Sequence, residues 1–195
     1  MEFLAPTWER IHVESLQLSS KILQSGYYPD VVIGVLRGGY IIARLVTDVI
    51  QVEDLGVVEV KFYKGIGERA ERPIITQPLT TDVRGKKVLI IDDVVDSGRT
   101  LQVVSEQVRL RGAKDVKSAA LYYKPKSIIK PDYFIVETEA WVFFPWEIGE
   151  FIREMGLEPS SKKVSAFLQE KGISFSSEII EWVTNTLKIR DSLNK

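Results

Sequence analysis

Apolar residues along this chain follow two periods. Residues 31–35 (VVIGV) form a continuous β-branched run, the pattern of a strand buried on both faces. Residues 57–63 (VVEVKFY), 86–92 (KKVLIID), 116–122 (VKSAALY) and 133–137 (YFIVE) read as further strands. Between them lie helical stretches: one capped by Thr7 and stopped at Gly26, one over 40–50, and one over 100–111 with Gly112 just past its end. Strands and helices in this alternation predict an α/β fold, a parallel sheet with helices on both faces and right-handed crossovers. Residues 64–79 (KGIGERAERPIITQPL) are charged and marked by Gly and Pro, so they read as a long loop or flap. Residues 92–99 read as a second loop.

After Pro145 the strand signal stops. Three helices are expected, over 147–155, 160–171 and 176–190, separated by Gly156 with Pro159 and by Gly172. The organisation predicted is a main domain over 1–146 and a small helical appendage over 147–195, packed on the core or serving as a dimer arm.

Charge and composition narrow the function classes. The 26 basic and 27 acidic side chains leave a net charge of −1, so no basic excess points to nucleic acid or to a membrane surface. Absence of cysteine excludes disulfides and thiolate metal sites. The opening MEFLAPTWER lacks an apolar leader core and no apolar run is long enough to span a bilayer, which sets the expectation of a cytoplasmic protein. His12, the single histidine, falls on the first predicted helix and outside every motif; a packing or surface role fits it. Lys162, Lys163 and Lys171 read as a solvated helix face.

The chemistry concentrates in VLIIDDVVDSGRTL, residues 88–101. A buried strand runs into two adjacent carboxylates, Asp92 and Asp93, and like charges side by side repel. Structure alone gives no reason to place them there. Asp96, Ser97, Gly98, Arg99 and Thr100 then open a helix. Ligands of α/β sheets sit beyond the carboxyl ends of the strands, and a helix N-terminus offers backbone N–H groups to an anion. Gly98 lets a phosphate approach the backbone, and Ser97 and Thr100 add hydroxyls. Asp92 and Asp93 suit ribose hydroxyls or Mg²⁺ held through water.

This run resembles the signature of type I phosphoribosyltransferases, which bind 5-phosphoribosyl 1-pyrophosphate (PRPP), and the resemblance covers roughly residues 5–147. It implies that Asp92 and Asp93 hold the ribose hydroxyls and help place Mg²⁺. It further implies that Asp96 lies near purine N7 as general base or acid, and that Asp96, Ser97, Gly98, Arg99 and Thr100 cradle the 5′-phosphate, Arg99 chiefly through its backbone. Leu36-Arg37-Gly38-Gly39 resembles the family's pyrophosphate loop, in which the peptide before the basic residue is often cis; Arg37 and Gly38 are its candidates here. In the 64–79 segment, a lid by this reading, Lys64, Arg69 and Arg72 can reach the leaving pyrophosphate; a solvated charged loop is the plainer account of the same residues.

The acceptor is read from two further segments. Lys124-Pro125 and residues 141–147 (WVFFPWE) resemble the base-binding segments of 6-oxopurine phosphoribosyltransferases. The resemblance implies stacking by Trp141, backbone contact from Val142, an acid near the purine 2-position in Glu147, and a donor to a 6-keto oxygen in Lys124. Core packing is the competing account of Phe143, Phe144 and Trp146. As a pure donor, Lys124 favours a 6-oxopurine. The helical tail, and Lys126 where archaeal 6-oxopurine relatives tend to carry an aromatic, resemble archaeal adenine phosphoribosyltransferases and tip the expectation to adenine. The function expected is purine salvage by an Mg²⁺-dependent homodimer using PRPP and a purine base. A 6-oxopurine enzyme, a PRPP-sensing regulator without chemistry, and a transferase for another base are the alternatives. The 141–147 segment opposes the last, and Asp96 with the Arg37 loop opposes the regulator.

Overall fold

A computed structural model describes residues 2–63 and 72–193. The chain divides into two compact units, Glu9–Glu139, and Met1–Trp8 together with Ala140–Lys195.

The larger unit is built on a six-stranded sheet. Its strands are β2 (Val31–Leu36), β3 (Leu55–Tyr63), β4 (Arg72–Gln77), β5 (Lys87–Val95), β6 (Asp115–Tyr123) and β7 (Tyr133–Glu137). The order across the sheet is β4-β3-β2-β5-β6-β7, parallel throughout except for β4 at the edge. The continuous apolar runs of β2 and β5 occupy the two central positions, where both faces are covered, and their residues from Val31 to Val35 and from Val88 to Ile91 are buried. Helix α2 (Gly38–Ile50) packs on β2 and β5, and α3 (Arg99–Leu110) packs on β5 and β6. Leu101, Val104 and Val108 of α3 share a cluster with Val31, Ile33, Val35, Val88 and Ile90. Gly34, on the opposite pleat, lies under Tyr40 and Ala43 of α2, so the two helices cover opposite faces. Helix α1 (Trp8–Gln24) runs beside β6 and β7: Tyr122 Oη donates to Glu14 at 2.5 Å, and Lys21 Nζ donates to the Phe134 carbonyl at 2.8 Å.

Two expected loops are shorter than the sequence suggested. Residues 72–77 are not loop but strand β4, antiparallel to β3 with Tyr63 opposite Arg72 and Lys61 opposite Ile74. Ile74, Ile75 and Thr76 favour a pleated surface, and Pro73 is tolerated because β4 lies at the sheet edge. Strand β5 also continues past Asp92: Val94 and Val95 pair with Tyr122 and Tyr123 of β6. The two acids are therefore strand residues, and the loop begins at Asp96. Lys64 and Arg69 of the expected lid lie outside the described residues.

The smaller unit holds two short strands, β1 (Phe3–Leu4) and β8 (Trp141–Val142), paired in parallel, followed by a 3₁₀ turn at Pro145–Glu147. Helices α4 (Ile148–Glu154), α5 (Ser161–Glu170) and α6 (Ser177–Leu193) complete it, close to the three helices read from the sequence. The expected boundary at residue 147 falls at Ala140 instead, because β8 pairs with the N-terminal strand and Phe143 joins the core of the tail helices. Phe143 stacks at 4.3 Å on Phe151, within a cluster that includes Val164, Leu168 and Ile180. No helix among the described residues is long and apolar enough to cross a membrane.

Candidate active site

Strands β2, β3 and β5 run parallel, so their carboxyl ends open on one edge of the larger unit, the place where such sheets take ligands. Residues from three of these ends meet there. Asp92, Asp96, Ser97, Gly98 and Thr100 line a cavity of about 330 Å³, together with Phe62 near the end of β3.

Asp92 supplies its acidic wall, and Asp93 follows it in the strand, beside Gly38. Asp92 is buried and Asp93 half-buried. Each accepts a short-range backbone bond: Asp93 N donates to Asp92 Oδ1 at 3.0 Å, and Val94 N to Asp93 Oδ1 at 2.9 Å. These bonds do not offset the loss of water. Burial holds the Asp92 carboxyl well above the usual carboxylate range, with repulsion from Asp93 adding to it. Burial raises Asp93 as well.

The Arg37 loop closes over this wall. The Leu36–Arg37 peptide is cis, as the resemblance implied. Gly38 follows so closely that a Cβ there would stand 1.7 Å from Asp93 Oδ2, and one on Gly39 would stand 2.6 Å from the Ile91 carbonyl oxygen. Both glycines are therefore required by the approach of this loop to the end of β5. Arg37 itself is exposed beside the site, and its charge contributes to lowering the Glu59 carboxyl, after the Thr76 hydrogen bond and Lys61.

The phosphate end of the cavity is the start of α3. Its cap residue Gly98 has φ +79 and offers no side-chain cap, so the first backbone N–H groups of the helix remain for an anion. Gln102 N bonds back to the Gly98 carbonyl at 3.0 Å, and Arg99 N approaches Ser97 Oγ at 3.4 Å. Arg99 is exposed and Thr100 half-buried.

A turn after β6 braces this loop from behind. Lys124 N donates to the Val95 carbonyl at 3.0 Å, Ser127 N to the Lys124 carbonyl at 2.9 Å, and Ile128 N to the Ser97 carbonyl at 3.1 Å. A Cβ on Gly98 would stand 2.3 Å from Ser127 Oγ. The turn brings two ammonium groups to one carboxylate oxygen: Lys126 Nζ lies 2.7 Å and Lys124 Nζ 3.7 Å from Asp96 Oδ1. Lys124 is buried and Lys126 largely exposed.

Of the residues singled out from the sequence, Arg37, Gly38, Asp92, Asp93, Asp96, Ser97, Gly98, Arg99, Thr100 and Lys124 belong to this unit. Trp141, Val142 and Glu147 belong to the other. There Trp141 is 41 % exposed, whereas Phe143 and Phe144 are buried, so the aromatic segment divides into a core part and one presented ring. Val142 is buried in strand β8, and Glu147 Oε2 accepts from Phe144 N at 3.3 Å across the 3₁₀ turn. Sequence reasoning missed Phe62 and the bracing by Ser127. The position of Phe62 near the end of a strand parallel to β2 was the available signal.

Comparison with known proteins agrees with the geometry. Residues 7–150 match the family model described as "Phosphoribosyl transferase domain". A xanthine-guanine phosphoribosyltransferase of Ruegeria sp. is 30 % identical over 156 residues, covering 73 % of this chain and 84 % of the relative. One from Nitratidesulfovibrio vulgaris is 29 % identical over 143 residues, covering 72 % and 82 %. The crystal structure of a purine phosphoribosyltransferase from Pyrococcus horikoshii superposes with a TM-score of 0.68 at 42 % identity, covering 75 % of this chain and 94 % of that one. The chain belongs to the type I phosphoribosyltransferase family, on its purine branch.

Proposed function

We propose that the protein converts a purine base and PRPP to the nucleoside 5′-monophosphate and pyrophosphate. The observation that carries this reading is the cavity in which buried Asp92, Asp96 and the N-terminus of α3 converge. In the reaction the bond from ribose C1 to the pyrophosphate oxygen breaks, a bond from C1 to a purine nitrogen forms, and the base gives up a proton. The N–H groups after Gly98 bind the 5′-phosphate, Asp92 and Asp93 face the ribose hydroxyls, and the Arg37 loop receives the pyrophosphate. Asp96 accepts or returns the proton at the imidazole ring of the base. The part of Trp141, Val142 and Glu147 in base binding is carried by the resemblance of their segment.

Mg²⁺ fits the acid pair. Two adjacent carboxylates raised by desolvation, Asp92 also by repulsion from Asp93, suit a hard divalent cation. No group of three metal-ligating side chains occurs among the described residues, so substrate oxygens and water would supply the remaining ligands. When bound, the ion neutralises charge on the diphosphate. A homodimer rests on the resemblance alone.

A 6-oxopurine is the better-supported base. The curated relatives described above carry xanthine-guanine names, and the buried donor Lys124 suits a keto oxygen. The lean to adenine drawn from the tail finds no support among these relatives, and the family match ends at residue 150, before α5 and α6. One observation keeps adenine as a second reading: Lys124 lies within ion-pair distance of Asp96, so its charge does not depend on a keto group for a partner. Incubation with PRPP, Mg²⁺ and each of adenine, hypoxanthine, guanine and xanthine tests both. Nucleoside monophosphate is expected, with the 6-oxopurines ahead; absence of product with every base overturns the enzyme reading.

A further inference from the structure

Lys126 stands outside the signature strand and loop, yet its ammonium is the nearer of the two on Asp96. At 2.7 Å its contact with Oδ1 is a close ion pair, made to an oxygen that is buried and has no hydrogen-bond partner, whereas Lys124 lies farther off at 3.7 Å. Lys126 sits on the Lys124–Ser127 turn, tied at one end to Val95 and at the other to Ser97, the residues on either side of Asp96. Pro125 pre-sets the backbone of the turn, and Ser127 packs against Gly98. The same backbone bonds that brace the phosphate loop therefore hold the backbone of Lys126 close to that of Asp96.

A carboxylate acting on a purine nitrogen must present one oxygen in a defined direction, and rotation of the group about its own axis spoils that alignment. We propose that Lys126 is a positioning residue for Asp96. By pairing with the buried Oδ1 it holds that oxygen on the lysine side and leaves Oδ2 to exchange the proton with the base. The proposal rests on the purine-transfer reading. Lys126 touches no reacting atom in this account and acts only through Asp96, so it serves any purine the protein accepts.

The test is steady-state kinetics of the full chain with PRPP, Mg²⁺ and its best purine, for the native protein and for Lys126→Ala, Lys126→Arg, Asp96→Asn and Asp96→Asn/Lys126→Ala. The Lys126 side chain is 66 % exposed, so its variants are expected to fold, which thermal unfolding checks. Lys126→Ala should lower kcat on the order of 10-fold with the KM for PRPP unchanged. Lys126→Arg, which keeps the cation, should recover most of that loss. The double variant should be no slower than Asp96→Asn, because a residue acting through Asp96 has nothing left to act on. An unchanged kcat in Lys126→Ala, a loss that appears in KM for PRPP, or a double variant slower than Asp96→Asn by the full Lys126→Ala factor overturns the proposal. A native protein that forms no nucleotide from any purine instead removes the reading beneath it, a distinct outcome.

Discussion

The active-site loop carries acids in two opposite electrostatic settings. Asp92 and Asp93 end a central strand, buried against each other under Gly38 and Gly39, and their carboxyls are raised by burial. Asp96 lies one turn of chain later with its side chain 47 % exposed, and two lysines address one of its oxygens. The same functional group is thus starved of cations at one place and supplied with them at the other. A carboxylate pair that costs stability when empty gains most from a bound cation. The contrast supports the proposed division, binding for the first and acid–base work for the second.

Neutralising the starved pair should produce the largest effect and the clearest break. Asp93→Asn, and separately Asp92→Asn, should reduce turnover on the order of 10³-fold by removing ligands to ribose and cation. The ligand-free protein should nevertheless become more stable, by about 1 kcal/mol, or about 2–4 °C in Tm for a chain of this size. A fall in Tm would mean the two acids do not repel. The pH dependence has a fixed sign. The folded carboxyls hold their protons at pH values where the unfolded ones have lost them. Their contribution to stability is therefore fully present below about pH 4 and is lost as pH rises through the raised folded values. Thermal unfolding of the ligand-free protein should show Tm declining from pH 5 upwards, with a shallower decline in either Asn variant.

Asp96→Asn sharpens the comparison from the other side. Turnover should fall on the order of 10²-fold, the usual worth of a general base. Stability should fall by about 1–3 kcal/mol, because buried Lys124 loses a charged partner while the exposed Lys126 contact contributes little. Equal stability changes at Asp93 and Asp96 would erase the distinction between the two settings.

Much of this site was legible in the sequence, for a physical reason. The segment 88–101 combines a buried strand, two adjacent acids and a glycine at a helix start, and each departs from what folding alone would choose. The helices of the tail were legible because Gly156, Pro159 and Gly172 punctuate them. What escaped depends on partners distant in sequence. Strand β4 was hidden because Arg72 and Pro73 argue against a strand until the edge position is known. Strand β1 has only two residues, and its pairing with Trp141–Val142 moved the expected boundary. Gly98 was read as space for a phosphate, but the approach of Ser127 to its other side could not be seen without the fold.

That approach makes Gly98 the joint between the two settings. Gly98→Ala would need a φ that alanine resists and a Cβ 2.9 Å from the Ile129 backbone nitrogen, so the 124–129 turn must retreat. A loss of about 1–3 kcal/mol in stability is expected, read by thermal unfolding, with a several-fold rise in the KM for PRPP. A normal KM would mean that the phosphate does not use this helix start.

The smallest and most selective effect belongs to Lys124. Its ammonium is buried, and a buried charge needs a partner. Asp96 lies within ion-pair distance, and a 6-keto oxygen would be a further partner only when the right base is bound. Lys124→Ala should therefore raise the KM for hypoxanthine and guanine on the order of 10-fold more than that for adenine, the worth of one charged hydrogen bond. Equal losses with all bases would place the lysine entirely in the service of Asp96, joining Lys126, and would shift base choice to the 141–147 segment. An adenine reaction that improves would show that the buried donor acts as a barrier to the amino purine. Specificity on this scaffold would then be set by a repulsive contact, in the way that closely related ligands are often told apart.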